Sequence, residues 1–212
     1  PGGDKVTKEP WRTAVSFLYQ YFGELFQKID IPFIRNLDPQ NTKFILQAID
    51  KKINAPLSCS AGRLFDAVAA LLNICTTTSF HAEAPMRLEN IASGTVEAAY
   101  PFDFEETISF KSTFEEIIHD LEDQVPIKEI SAKFHHTFIH VIYAVVSKTR
   151  KETGINKVVL SGGSFQNRFV LGRLENLLLR ENFEVFTQNR IPSNDGGIAL
   201  GQLVIGARIS GR

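Results

Sequence analysis

The sequence predicts a helix-rich α/β fold with a small sheet near its C-terminus. Three observations predict it. Apolar residues recur at helical spacing through most of the chain. Two compact apolar runs, "KVVL" and "EVFT", have strand character and lie late in the sequence. Each is followed by a helical pattern, and the order strand, helix, strand, helix favours a parallel α/β layer.

The elements follow in order. In Glu9 to Ile29 the residues Ala14, Phe17, Leu18, Tyr21, Phe22 and Leu25 keep helical spacing, with Pro10 fitting the first turn. Asp38 to Ile53 reads as a second helix, with Asp38 as N-cap and Pro39 at the first helical position. Ser60 to Cys75 is a strongly apolar third helix, and Glu83 to Ala92 a fourth. The pattern breaks in "GTVEAAYPFDFEETISF", read as short strands. Helices return at Thr113 to Gln124 and Ile127 to Glu152. Strand Lys157 to Leu160, helix Gln166 to Arg180, strand Glu184 to Thr187 and helix Asp195 to Ala207 complete the chain. There is no repeat and no low-complexity segment.

The composition, 43% hydrophobic and 22% charged over 212 residues, is that of a soluble globular protein of one domain or two small ones. A formal charge of −1 gives no basic field of the kind nucleic acid attracts. No apolar run is long enough for a transmembrane helix, and no signal-peptide pattern opens the chain, so neither a membrane nor secretion is expected. The first residue is Pro1 rather than Met, which suggests a piece of a longer protein or a processed start. Cys59 and Cys75 form no CxxC pair. They read as free, buried thiols of a reducing, cytoplasmic compartment.

Three constellations carry chemistry. In "KVVLSGGSFQNRF" the adjacent Gly162 and Gly163 stand between a strand and a helix. Ligands of α/β sheets bind at the carboxyl ends of strands, and bare N–H groups at a helix start suit an anion. The string is not a Walker loop, a GxGxxG fingerprint or a GxSxG elbow. A tight turn without a ligand stays open beside the ligand site. In "NRIPSNDGGIALGQ", Asn194 and Asp195 precede a second glycine pair and a helix. They read as a helix cap, as a carboxylate held for a metal or polar ligand, or as both. In "LSCSAGRLFD", the hydroxyls of Ser58 and Ser60 precede a helix carrying Gly62 and Asp66. They either cap it or bind a ribose or phosphate.

Taken together, "PGGDKVTKEPWR", "SAGRLFDAVAALL", "FHAEAPMRLE", "AKFHH", "LSGGSFQNR" and "PSNDGGIALGQ" resemble, in order, the C-terminal part of the HypF family of hydrogenase maturation carbamoyltransferases. The strings span nearly the whole chain. That part of the family resembles the tRNA threonylcarbamoyladenosine synthase domain, of the sugar kinase–Hsp70–actin superfamily. The resemblance implies the second lobe of a two-lobed fold, residues 1–212, with ATP bound in the cleft. It implies that the parent converts carbamoyl phosphate and ATP, through carbamoyl-adenylate, into a carbamoyl group on the C-terminal cysteine of the partner HypE. That group becomes a cyanide ligand of the [NiFe] hydrogenase. Nucleotide contacts are implied at Gly162, Gly163, Asn167, Ser58, Ser60, Gly62 and Glu83. A flat adenosine would lie where a side chain on the glycine turn would collide.

A divalent metal (iron, zinc or magnesium) is implied at Asp195, with Asn194 one position away. The metal's two histidines would come from an HxxxH motif of the first lobe. His136 and His140 are spaced for a metal pair on a helix, but "KFHHTFIHVI" matches a second-lobe helix, where packing or solvated histidines are expected. The tRNA enzyme has acidic residues where this chain has Ser58 and Cys59, so no carboxylate contact to ribose is implied there. The first lobe and the upstream acylphosphatase-like, zinc-finger and YrdC-like domains have no counterpart in these strings. Two other classes remain open: a second lobe of a superfamily enzyme with a tRNA or small-molecule acceptor, and a non-catalytic nucleotide-binding or docking lobe.

Overall fold

The computed structural model describes residues 1–188 and 190–211. The chain divides into two compact units, Pro1–Thr137 and Phe138–Arg212.

The first unit is helical. After the short α1 (Lys5–Lys8) comes α2 (Pro10–Phe22), with Pro10 in its first turn and Ala14, Val15 and Leu18 fully buried. The expected helix to Ile29 stops at Phe22, because Gly23 turns to φ 57° and the chain continues as a 3-10 stretch, Gly23–Lys28. Leu25, assigned to the apolar face by its spacing, is therefore exposed. A one-turn helix, α3 (Pro32–Arg35), was not expected; it buries Phe33. In α4 (Pro39–Asp50) the Asp38 side chain accepts a 2.7 Å bond from the Asn41 N–H, as its position before Pro39 predicts.

The central element is α5 (Ala61–Leu71), buried without interruption from Leu64 to Leu71 and packed on α2 and α6 (Glu83–Ile91). It ends before Cys75 because Asn73 takes the left-handed region, φ 54°. A two-residue antiparallel pair, β1 (Asp103–Phe104) and β2 (Ile108–Ser109), precedes α7 (Lys111–Glu122). Phe114 of α7 stacks on Phe17 at 5.2 Å and meets Tyr21 edge-on at 5.5 Å. The long α8 (Ile127–Thr153) begins in this unit. Its Ser131 hydroxyl donates to the Leu88 carbonyl of α6 at 2.6 Å, and Phe134 packs edge-on to Phe65 of α5 at 4.9 Å.

The second unit holds the expected parallel pair. β3 (Lys157–Leu160) lies beside β4 (Glu184–Thr187) in the register Lys157 to Glu184 through Leu160 to Thr187. The connection is α9 (Arg168–Arg180), whose Val170, Leu174 and Leu178 make one fully buried stripe at four-residue spacing. The last helix, α10 (Ile198–Ile209), buries nothing. Leu203, Val204 and Ile205 are each more than 60% exposed, on consecutive positions that cover most of the helix circumference. A helix apolar all round belongs in an interior. The 212-residue chain is therefore expected to self-associate, and Leu203→Glu to reduce this, since each buried leucine contributes about 1.5–3 kcal/mol. Light scattering checks it; a strict monomer at high concentration would contradict it. No helix among the described residues is long and apolar enough to cross a membrane.

Candidate functional site

The predicted residues fall into two groups, one in each unit. In the second unit the chain leaves β3 at Leu160 and reaches Gly162 at φ 105°, ψ 166°, backbone that only glycine adopts without strain. The Gly162 N–H donates to the Ser193 carbonyl at 2.8 Å, which ties the glycine turn to the segment before Asp195. Gln188 reinforces the same join: its amide oxygen accepts from Ser161 Oγ at 3.0 Å, and its nitrogen donates to the carbonyls of Pro192 and Ile191 at 2.8 and 3.2 Å. Gly163 opens a 3-10 turn, Gly163–Gln166, and a Cβ built on it meets nothing within 4 Å. Asn167 is the N-cap of α9; its side-chain oxygen accepts from the Val170 N–H at 2.9 Å.

The carboxylate expected either to cap or to bind at Asp195 does not cap. Asn194 does so, accepting from the Gly196 N–H at 3.0 Å. Asp195 is exposed, and no hydrogen bond or ion pair with another described residue engages its carboxylate. One exposed carboxylate with its oxygens uncommitted suits a single metal-ligand position. No group of three His, Cys, Asp or Glu among the described residues could hold a metal, so Asp195 has no metal-ligand set around it among them. His136 and His140 occupy neighbouring turns of α8, and among the described residues they belong to no group of three metal-ligating side chains.

In the first unit, Ser58, Ser60 and Gly62 form the lead into α5. Ser60 stands at the N-cap position, yet its hydroxyl makes no cap bond. The Ser58 hydroxyl instead accepts from the Ser60 N–H at 3.2 Å. Ser60 Oγ is left exposed at the helix N-terminus, 3.5 Å from where a Cβ on Gly62 would lie. Cys59, expected to be buried, is exposed on this loop: a thiol between two turn-forming serines has no core to enter. Cys75 is buried, and burial raises its thiol above the usual range. Glu83 is also buried at the start of α6, and its carboxylate is occupied. It accepts from the Ser79 N–H and hydroxyl at 2.6 and 2.8 Å and pairs with Arg87 at 2.5 Å. The Ser79 bonds, first among several causes, hold its carboxyl below the ordinary range.

The sequence reading left one residue of this region out of the site. Asp66, one turn into α5, is 2% exposed in the middle of the apolar run. Burial pushes its carboxyl up to about 6, against the pull of Arg63 and, more weakly, His81. Arg63 approaches it at 2.9 Å, but neither Arg63 Nη1 nor Asp66 Oδ2 finds an aligned hydrogen bond. The signal was present in "GRLFDAVAALL": one carboxylate inside an otherwise apolar helix face is costly unless it serves a purpose.

Residues 1–202 match the family described as carbamoyltransferase, Kae1-like domain, second subdomain. Among curated relatives, the probable carbamoyltransferase HypF of Methanocaldococcus jannaschii is 31% identical over 95% of the chain and 26% of its own length. The carbamoyltransferase HypF of Rhodobacter capsulatus is 34% identical over 97% of the chain and 26% of its own length. A full-length HypF crystallised in its phosphate- and nucleotide-bound form superposes with a TM-score of 0.90 at 39% identity, over 99% of this chain and 28% of that one. The fold and the matched subdomain define a carbamoyltransferase-type, Kae1-like lobe. The chain belongs to the HypF family. It spans about a quarter of the length of the curated relatives it matches.

Proposed function

We propose that this chain is the nucleotide-binding second lobe of a cytoplasmic carbamoyltransferase of hydrogenase maturation. The observation that carries the reading is the Gly162–Gly163 turn at the carboxyl end of β3, with open space above Gly163 and the Asp195 segment bonded to it. Gly162, Gly163 and Asn167 seat the adenosine of ATP or of carbamoyl-adenylate. In the first unit, taken by itself, Ser58, Ser60 and Gly62 offer hydroxyl and backbone groups of the kind a ribose or phosphate takes, and Glu83 holds Ser79 and Arg87 in place. Asp195 supplies one oxygen ligand to a divalent metal, which would neutralise phosphate oxygens. The remaining ligands and the other wall of the cleft come from a partner lobe.

Within that cleft the chain's own residues position rather than react. The acceptor thiolate, the C-terminal cysteine of HypE, attacks the carbonyl carbon of carbamoyl-adenylate; the C–S bond forms as AMP leaves. No nucleophile from this lobe is needed. The test is carbamoyl-phosphate-dependent exchange of pyrophosphate into ATP by the full-length parent. Exchange is expected in wild type and lost in Gly163→Val. Exchange that ignores carbamoyl phosphate would instead favour a superfamily enzyme with another acceptor. The 212-residue chain alone is expected to carbamoylate nothing, having one wall of the cleft; carbamoylation of HypE by it would contradict the reading. Asp195→Ala in the parent is expected to lower nucleotide affinity mainly when divalent metal is present. Calorimetric titrations with and without the metal check this, and equal losses in both would remove Asp195 from the metal site.

A further inference from the structure

The first unit holds a charged pair that its own fold does not explain. Ser60, Arg63 and Asp66 stand at three-residue spacing and so share one face at the start of α5. Arg63 Nη1 lies 2.9 Å from Asp66 Oδ2; the Asp66 side chain is buried and that of Arg63 is 25% exposed. Neither atom makes an aligned hydrogen bond, and no other described residue hydrogen-bonds to either side chain. A pair desolvated in this way stabilises a fold weakly, and two apolar side chains would serve the helix better. Arginine in a first turn also opposes the helix dipole.

A carboxylate accepts from hydroxyl or amino donors and repels phosphate oxygens. It is a strong acceptor only as an anion, and burial in an apolar helix face favours the neutral acid. Arg63 opposes that burial, followed by His81 from the loop before α6. The other titratable groups on the elements around α5 are engaged elsewhere. Cys75 feels Glu83 and Arg87 of α6 as well as Asp66. On α2, Arg12 pairs with Glu9, Tyr19 bonds to Asp50 and Tyr21 meets the Phe110 backbone. His135 of α8 bonds to the Ser131 carbonyl at 2.7 Å. Arg63 is therefore the main charge that keeps Asp66 usable, and the exposed Ser60 hydroxyl marks the open end of the face they share.

We propose that Arg63 is a positioning residue: through its ion pair it holds Asp66 as a charged, aimed acceptor for a hydroxyl or amino donor of the ligand that meets the Ser60 end of α5. The proposal rests on the reading of that ligand as a nucleotide, and one of its two readouts needs no nucleotide.

The first readout is stability. In the 212-residue chain, urea unfolding across pH 4 to pH 9, compared between wild type and Asp66→Asn, isolates the Asp66 step near pH 6. The same comparison in an Arg63→Gln background should place the step at higher pH, because burial is then opposed chiefly by His81. The second readout is calorimetric titration of an ATP analogue into the full-length parent at several pH values. Arg63→Gln should bind about tenfold more weakly at pH 7, the effect of one charged hydrogen bond, and approach wild type as the pH rises. Arg63→Lys should bind close to wild type at pH 7, since the pair uses a single nitrogen and the charge is kept. Three results would overturn the proposal: an Asp66 step that Arg63→Gln leaves in place; an affinity loss in Arg63→Gln that is the same at every pH; or a loss that lysine does not repair. Failure of the nucleotide reading shows separately, as a wild-type parent that takes up no ATP analogue, and the stability step then decides whether Arg63 acts through Asp66.

Discussion

In the full-length parent, Gly163→Val is expected to weaken adenine-nucleotide binding by roughly 30- to 1,000-fold, about 2–4 kcal/mol, while the lobe stays folded. The two glycines of the turn have different jobs. Gly162, at φ 105°, needs to be glycine for the backbone alone. Gly163 does not: its φ is not positive, and an added Cβ meets nothing within 4 Å. Nothing inside the lobe therefore demands glycine at 163, and a ligand lying on the main chain would. Valine there removes the ligand's stacking and backbone contacts without straining the turn. Gly162→Val is the internal contrast, since it should lower the melting temperature whether or not a nucleotide binds there. Calorimetric titration of an ATP analogue into wild type and both variants, beside circular dichroism, separates the two. If Gly163→Val binds like wild type, the pair only makes a turn.

Most of the secondary structure was legible because local chemistry decided it. Asp38 before Pro39 set a helix start, and "KVVL" and "EVFT" set two strands whose intervening helix favoured a parallel pairing. The glycine pair was legible as a turn between a strand and a helical segment. Less was legible where tertiary placement decides. Ser60 had every local reason to cap α5, but the loop turned its hydroxyl outward and gave its N–H to Ser58. Asn194 rather than Asp195 took the cap, because it stands just before the 3-10 turn Asp195–Gly197 and its side chain accepts from the Gly196 N–H. Leu25 kept helical spacing past a glycine that ended the helix. Asp66 was visible as one carboxylate in an apolar helix pattern, but the depth of its burial comes from α2 and α6 packing around α5.

That buried charge gives the second large effect: Asp66→Asn is expected to make the chain more stable at pH 7 and to remove most of one step in its pH dependence. The Asp66 carboxyl titrates near 6 in the folded chain, raised from an ordinary 3.8. Below pH 4 the group is protonated in both states and costs nothing. Between 4 and 6 the unfolded chain releases the proton while the folded chain keeps it, so stability falls as pH rises through the folded value. Above that, both states are ionised and the full penalty remains, on the order of 3 kcal/mol for a shift of this size. Asparagine cannot ionise, but it gives up the attraction to Arg63, so a net gain of about 1–2 kcal/mol at neutral pH is expected. Glu83 acts in the opposite sense: its lowered carboxyl adds stability that is lost as pH falls. The wild-type curve alone therefore mixes the two, and the difference between wild type and Asp66→Asn isolates the step. Urea unfolding from pH 4 to pH 8 measures it. A carboxylate kept at this cost, one turn from the Ser60 hydroxyl and Gly62, is expected to earn its place through the ligand. The same variant should then bind nucleotide more weakly in the parent. A difference curve flat from pH 4 to pH 8 would show that Asp66 is not the strained group, and unchanged nucleotide affinity would show that its burial serves packing alone.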